Sequence, residues 1–171
     1  MGTVRESAIK AIALLVPRGS REAIDWISPR LDDWHESVRR AAVVAVAKIA
    51  AKGDVHGIAL ASSACEDRSW IVRKAATDSL ALTATLNDLS SLRKLAKMLE
   101  DFDPLPRMAA IYGMAELCGV GHRKAHGRKV SFNVFQSLSK SFRNCHCLSK
   151  SLSFIKSFIE SNLAQSSSQR S

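Results

Sequence analysis

Polar and apolar positions in this chain repeat with a period of 34 residues: Val4-Arg5 recurs as Val38-Arg39 and Val72-Arg73, and once more, altered, as Pro106-Arg107. After each dipeptide the apolar residues fall four and three positions apart. Ala8, Ala42, Ala76 and Ala110 align, as do Ile12, Val46, Leu80 and Met114, and then Leu15, Ile49, Thr83 and Leu117. These offsets place the side chains on one stripe of a helix, and the small residues between them, Ala11, Ala45, Ser79 and Gly113, let a neighbouring helix come close. A first helix is therefore predicted in each of the stretches Val4 to Gly19, Val38 to Gly53, Val72 to Asn87 and Pro106 to Gly121.

Gly19, Gly53, Asn87 and Gly121 are residue types that tolerate a left-handed backbone, and they supply a periodic stop. Ser20, Asp54 and Asp88 follow as caps for a second helix. That helix carries Ile24, Ile58 and Leu92, then Ile27, Ala61 and Leu95, then Leu31, Cys65 and Leu99, again on one face. Acidic loops close the units at Asp32-Asp33, Glu66-Asp67 and Glu100-Asp101. Self-similarity at this period is the mark of a solenoid. The fold expected is all-α, a right-handed α-solenoid of helical hairpins, with units at 4–37, 38–71 and 72–105 and a partial unit at 106–121.

The frame then fails. His126, Lys129 and Asn133 stand where the earlier second helices have apolar residues, and an unpaired charge buried there costs more than a short hairpin recovers. The array is expected over 1–121 and a separate tail over 122–171. Residues 131–171 hold 13 serines, with apolar residues from Phe135 to Leu163 at spacings of three and four, which predicts a basic amphipathic helix over about 134–163 and a disordered end. Such a helix would cap the last hydrophobic face or meet an anionic surface or partner. Val4-Arg5 opens a unit with no helix before it, so a fragment of a longer array is expected, able to self-associate through uncapped ends.

Charge sharpens the division. The net charge is +9, of which residues 1–118 carry only +1, from 16 basic and 15 acidic side chains, while residues 119–171 carry +8. No apolar run is long enough to span a bilayer, and no signal peptide or acylation motif opens the chain. Four cysteines at uneven spacing do not make a disulfide framework, so a reducing compartment is expected: intracellular, cytoplasmic or alternatively nuclear.

At this point the residues resemble a known family. The Val-Arg-x2-Ala frame with closing glycines is similar to HEAT-like repeats, in particular the short units of the phycobilisome-lyase type, over about residues 4–121. A tetratricopeptide unit has the same length but opens on Trp-x2-Leu-Gly-x2-Tyr, which is missing here. The resemblance implies that Asp33 and Arg39, Asp67 and Arg73, and Asp101 and Arg107 build a hydrogen-bonded ladder between adjacent units. It also raises two enzymatic relatives. Deoxyhypusine hydroxylase holds two irons with several His-Glu dipeptides, whereas this chain has only His35-Glu36; bilin lyases share the generic repeat, and no catalytic signature carries over.

Other chemistry is sparse. There is no phosphate loop, nucleophile elbow or spaced carboxylate pair, so no catalytic residue and no cofactor is expected. Cys145-His146-Cys147, with Cys118, His122 and His126 upstream, has zinc-ligand types without the usual Cys-x2-Cys pairing, and no metal is expected. Arg93, Lys94 and Lys97, followed by Arg123, Lys124, Arg128 and Lys129, form a basic stripe that supports a nucleic-acid alternative, but no aromatic residues interleave with it to stack bases. The reading is a non-catalytic protein-interaction scaffold whose partner lies along the second helices, at Arg21, Glu22, Asp25, His56, Ser90, Arg93, Lys94 and Lys97. Trp26 is expected to pack the first unit, and Trp34 and Trp70 to cover loops.

Overall fold

The computed structural model describes residues 2–117, which form seven α-helices and no strand. The expectations for Gly121 as the array end, for the tail and for the Cys-His group lie outside those residues. Four first helices are α1 (Gly2–Leu15), α3 (Glu36–Ile49), α5 (Trp70–Thr83) and α7 (Pro104–Leu117), each 14 residues long and each displaced from the last by the full sequence period. The second helices are α2 (Arg21–Ile27), α4 (Val55–Ala64) and α6 (Leu89–Met98). First helices pack side by side in one layer, α1 on α3, α3 on α5 and α5 on α7, and the second helices form the other layer.

The apolar stripes do what their spacing implies. In α3 the core side chains Val38, Ala42, Val46 and Ile49 are buried, with Val72, Ala76 and Leu80 in α5 and Ala110, Met114 and Leu117 in α7. Ile24, Ile27, Ala61, Leu92, Leu95 and Leu99 meet them from the second layer. The third unit buries hydroxyls as well, and each finds an acceptor: Thr77 donates to the Arg73 carbonyl at 2.8 Å and Thr83 to the Ser79 carbonyl at 2.7 Å. Unit one departs from the pattern. Val4, Ala8 and Leu15, aligned with buried residues of later units, are exposed, Leu15 at 83%, because no helix of the described residues lies on that side of α1.

Helix starts follow their caps. The side chains of Ser20, Asp54 and Asp88 accept from the first N–H groups of α2, α4 and α6. Only α2 is short. Pro29 has no N–H to give the Asp25 carbonyl, the Ser28 hydroxyl takes that carbonyl at 3.1 Å, and the chain continues as a 3-10 turn over Ser28–Asp32.

Inter-unit ladders and candidate interaction surfaces

Two rows of hydrogen bonds stitch each unit to the next, one at each edge of the array. At the loop edge, where the first helices begin, Arg39 points a fork at the Asp67 carboxylate, Nε at 2.7 Å and Nη2 at 2.9 Å, 28 residues ahead. Arg73 does the same to Asp101, at 2.7 and 2.8 Å, and adds Asp103 at 2.7 Å. The remaining nitrogen of each guanidinium turns back: Arg39 Nη1 donates to the carbonyls of Asp33 at 2.8 Å and Trp34 at 3.2 Å, and Arg73 Nη1 to those of Asp67 and Arg68. Each arginine thus clamps two consecutive loops, its own by backbone carbonyls and the next by a carboxylate.

The same clamp is present in part at the two ends. Arg5, which the sequence reading did not place in the ladder, forks onto Asp33 at 2.8 and 3.0 Å. Arg107 bonds the carbonyls of Asp101 and Phe102, at 2.7 and 2.9 Å, and has no carboxylate among the described residues. The signal for Arg5 was the frame itself, since Val4-Arg5 opens the first unit as Val38-Arg39 opens the second.

Burial and charge fit together at these pairs. The Arg39 side chain is only 6% exposed and Asp67 10%. Burial alone would raise the Asp67 acid, but the Arg39 bond, the Ser69 N–H and the Arg39 charge outweigh it and hold Asp67 below the usual carboxylate range. Asp101 is lowered in the same way against its burial, by Arg73 and the Asp103 N–H. Asp33 is lowered first by its bond to Arg5.

At the opposite edge the stitch is made of backbone. Gly19 N–H donates to the Ile49 carbonyl at 2.6 Å, Gly53 N–H to Thr83 at 2.7 Å, and Asn87 N–H to Leu117 at 2.8 Å. The donors have φ of +88°, +84° and +59°. The expected left-handed positions are there, but in a different role. The helices end four residues earlier, at Leu15, Ile49 and Thr83, and the left-handed residue closes the following turn. Its N–H caps the last carbonyl of the next unit's first helix rather than its own.

The second-helix row is more self-contained than its sequence implies. Arg21 reaches Asp25 at 3.4 Å, and His56 of the next unit lies 3.5 Å from the same carboxylate without hydrogen-bond alignment, its Nε2 buried and otherwise without a partner. Lys94 and Lys97 both reach Glu66, at 2.9 and 3.1 Å, and those two bonds bring the Glu66 acid down to about 2. Ser90 is held by Asp88, the α6 cap. Lys94 and His56 are half-buried rather than exposed, because each leans across to the preceding unit. Of the eight residues, only Glu22 and Arg93 are exposed with no side-chain partner among the described residues. The basic stripe loses two of its three described members to Glu66.

The loop edge carries what the second-helix row lacks. Trp34 is 69% exposed, Trp70 39% and Phe102 98%, so Trp34 and Trp70 do not cover loops as expected; Trp26, at 60%, does not pack the first unit either. Trp34 and Phe102 share one frame position, and Arg68 occupies it in the unit between. Trp34 is held in place although exposed: the Arg5 guanidinium lies 5.6 Å from its ring centre and the His35 ring 3.7 Å away, tilted by 33°. An open groove of about 590 Å³ runs from Trp34 past Glu36 and Arg68 to Trp70 and Asp103. His35, the first residue of the single His-Glu dipeptide, lies here too. Among the described residues no group of three His, Cys, Asp or Glu side chains could hold a metal ion, and no helix is long and apolar enough to cross a membrane.

Comparison with known proteins agrees with this geometry. The family model described as HEAT repeats matches residues 2–81, from the start of α1 almost to the end of α5. No curated protein matches the chain. The two ladders continue the same unit geometry beyond the match, to Leu117. Over residues 2–81, a little under half of its length, the chain is similar to HEAT repeats.

Proposed function

We propose that the chain is a non-catalytic protein-interaction scaffold and that its loop edge is the principal contact surface. HEAT repeats in general mediate protein–protein interaction. The observation that carries the reading is Trp34, a large aromatic side chain left exposed yet fixed by Arg5 and His35. Tryptophan and arginine dominate the energetics of protein interfaces, and a side chain already held in one orientation loses less entropy on binding. Trp70, Phe102 and Arg68 extend the same surface over three units. The second-helix residues Arg21, Glu22, Asp25, His56, Ser90, Arg93, Lys94 and Lys97 form a subsidiary surface, with Glu22 and Arg93 its uncommitted members. Asp33, Arg39, Asp67, Arg73, Asp101 and Arg107, with Arg5, serve the array and not the partner.

Affinity capture from a cell extract tests this, comparing the unaltered chain with Trp34→Ala/Phe102→Ala and with Glu22→Ala/Arg93→Ala. Loss of specific partners in the first variant, with its melting temperature unchanged, is the expected result. Loss only in the second would move the interface to the second helices. No partner dependent on either surface would refute the scaffold reading.

A further inference from the structure

We propose that the loop edge binds an extended peptide in the polyproline II conformation, with prolines against Trp34 and Phe102 and an acidic residue midway between them on Arg68. The proposal rests on the loop edge being an interaction surface and names the ligand chemistry that fits it.

Spacing is the first reason. Trp34, Arg68 and Phe102 stand at one frame position in three consecutive units, and neighbouring first helices lie about 8–10 Å apart when packed. A polyproline II chain has three residues per turn and rises about 3.1 Å per residue, so every third side chain returns to the same face after about 9 Å. A strand repeats its face at about 6.6 Å and falls out of step with the array, and a helix returns to it only every second turn, at about 10.8 Å, a little beyond the spacing.

Chemistry is the second. The exposed rings of Trp34 and Phe102 offer flat apolar surface to pyrrolidine rings. Among the described residues the indole N–H groups of Trp34 and Trp70 have no hydrogen-bond acceptor. A polyproline II chain makes no internal hydrogen bonds, so its carbonyls are free to accept from such donors, which is how aromatic grooves hold proline-containing segments.

Charge sets the middle position. Four aspartates of this edge are already engaged, Asp33 by Arg5, Asp67 by Arg39, and Asp101 and Asp103 by Arg73, while Asp32 and Glu100 are exposed and make no ion pair among the described residues. Glu36 accepts the Ser69 hydroxyl at 2.7 Å. Arg68 gives one hydrogen bond, to the Trp34 carbonyl at 3.2 Å, and has no carboxylate among the described residues. A peptide carboxylate three residues from each proline meets that guanidinium, the one arginine lining the groove that has no carboxylate partner among the described residues.

The test is titration of the full chain, followed by calorimetry, with Pro-Ala-Ala-Glu-Ala-Ala-Pro, with the same peptide carrying Lys at its centre, and with one in which four residues separate each proline from the Glu. The first should bind at least about tenfold more tightly than the other two. Phe102→Ala should weaken it about tenfold with the helical spectrum and melting temperature unchanged, since Phe102 is almost wholly exposed. Arg68→Glu should reverse the preference between the Glu and Lys peptides. Indifference to spacing, an unreversed preference in Arg68→Glu, or no binding of the first peptide would each overturn the proposal. Failure here together with partner capture that still depends on Trp34 and Phe102 would sink the peptide and leave the scaffold standing.

Discussion

Replacing Arg39 by Ala removes the best-buried clamp of the array and tests what the ladder is worth. The Arg39 guanidinium makes two bonds to Asp67 and two to loop carbonyls, and the residue is 5% exposed. Its loss leaves the Asp67 carboxylate largely buried with only the Ser69 N–H, at 2.8 Å, as its partner. Breaking a buried pair by removing one member costs about 3–5 kcal/mol. The surviving Ser69 bond and the entry of water into the space vacated by the side chain bring the expectation to the low end, about 3 kcal/mol. The cost should fall along the ladder with burial and with missing partners: next Arg73, whose side chain is 14% exposed, then Arg5 at 28%, and least for Arg107, which has no carboxylate to orphan among the described residues. Urea denaturation followed by circular dichroism measures the series. The informative member is Arg39→Ala/Asp67→Asn, because removing the stranded charge should return about 1–2 kcal/mol of the loss. A double variant whose cost is the sum of the singles, or an Arg39→Ala no worse than Arg107→Ala, would refute the idea that these charges hold the units together.

The other stitch is tested at its backbone. Gly53→Ala should destabilise by about 1–2 kcal/mol from the left-handed backbone alone, with an added penalty because the new Cβ would lie 2.9 Å from Thr85, whereas Gly19→Ala has open space and should cost only the backbone part. Asn87→Gly should be neutral or slightly stabilising, as the same φ is then free of strain; a loss comparable to Gly53→Ala would contradict the role given to this turn. The ladder also fixes a pH dependence. Asp33, Asp67 and Asp101 titrate below their ordinary value in the folded chain, so between the folded and unfolded values the unfolded chain binds more protons, and stability falls as pH falls through that window. Melting temperature should be insensitive to these groups from neutral pH down to about 5 and decline below about 4, with a shallower decline in Arg39→Ala/Asp67→Asn; parallel profiles for the two proteins would remove the aspartates as the cause.

The fold was legible because every unit repeats the same few physical demands. A stripe of Ala, Val, Ile and Leu four and three apart can only be buried by a neighbour carrying the same stripe, and four copies in register leave little besides a stack. Registration of the helices was legible only approximately, since the glycines read as helix ends lie four residues beyond them. Sequence shows that Gly53 tolerates a left-handed backbone; that its N–H serves Thr83 in the next unit is a fact of packing that no local pattern carries. The same limit explains the second-helix residues. Lys94 and Lys97 look like free cations until the stack brings Glu66, 28 and 31 residues earlier, within reach of both. Cys65 was placed in the core by its frame position alone, and burial there pushes its thiol up to about 11.

What separates the array's own machinery from its interaction chemistry is the use to which each polar group is put. Arg39 and Arg73 have spent every direction of their guanidinium groups on loops of this chain, and an interface built on them would first have to break the stack. Arg68 sits on the same edge, one residue from the Asp67 that Arg39 holds, yet it gives a single bond to a carbonyl. Trp34 and Phe102 flank it along the edge with rings that bury little. In a solenoid each unit repeats its structural residues because each junction needs them. The frame position of Trp34, Arg68 and Phe102 gives each ladder arginine a backbone carbonyl, but its three different side chains share no structural task. Periodic identity therefore marks stability, and periodic difference at an exposed position marks recognition. On this array Arg39, Arg73, Gly19 and Gly53 satisfy the first condition, and the proposed recognition surface rests on the second, at Trp34, Arg68 and Phe102.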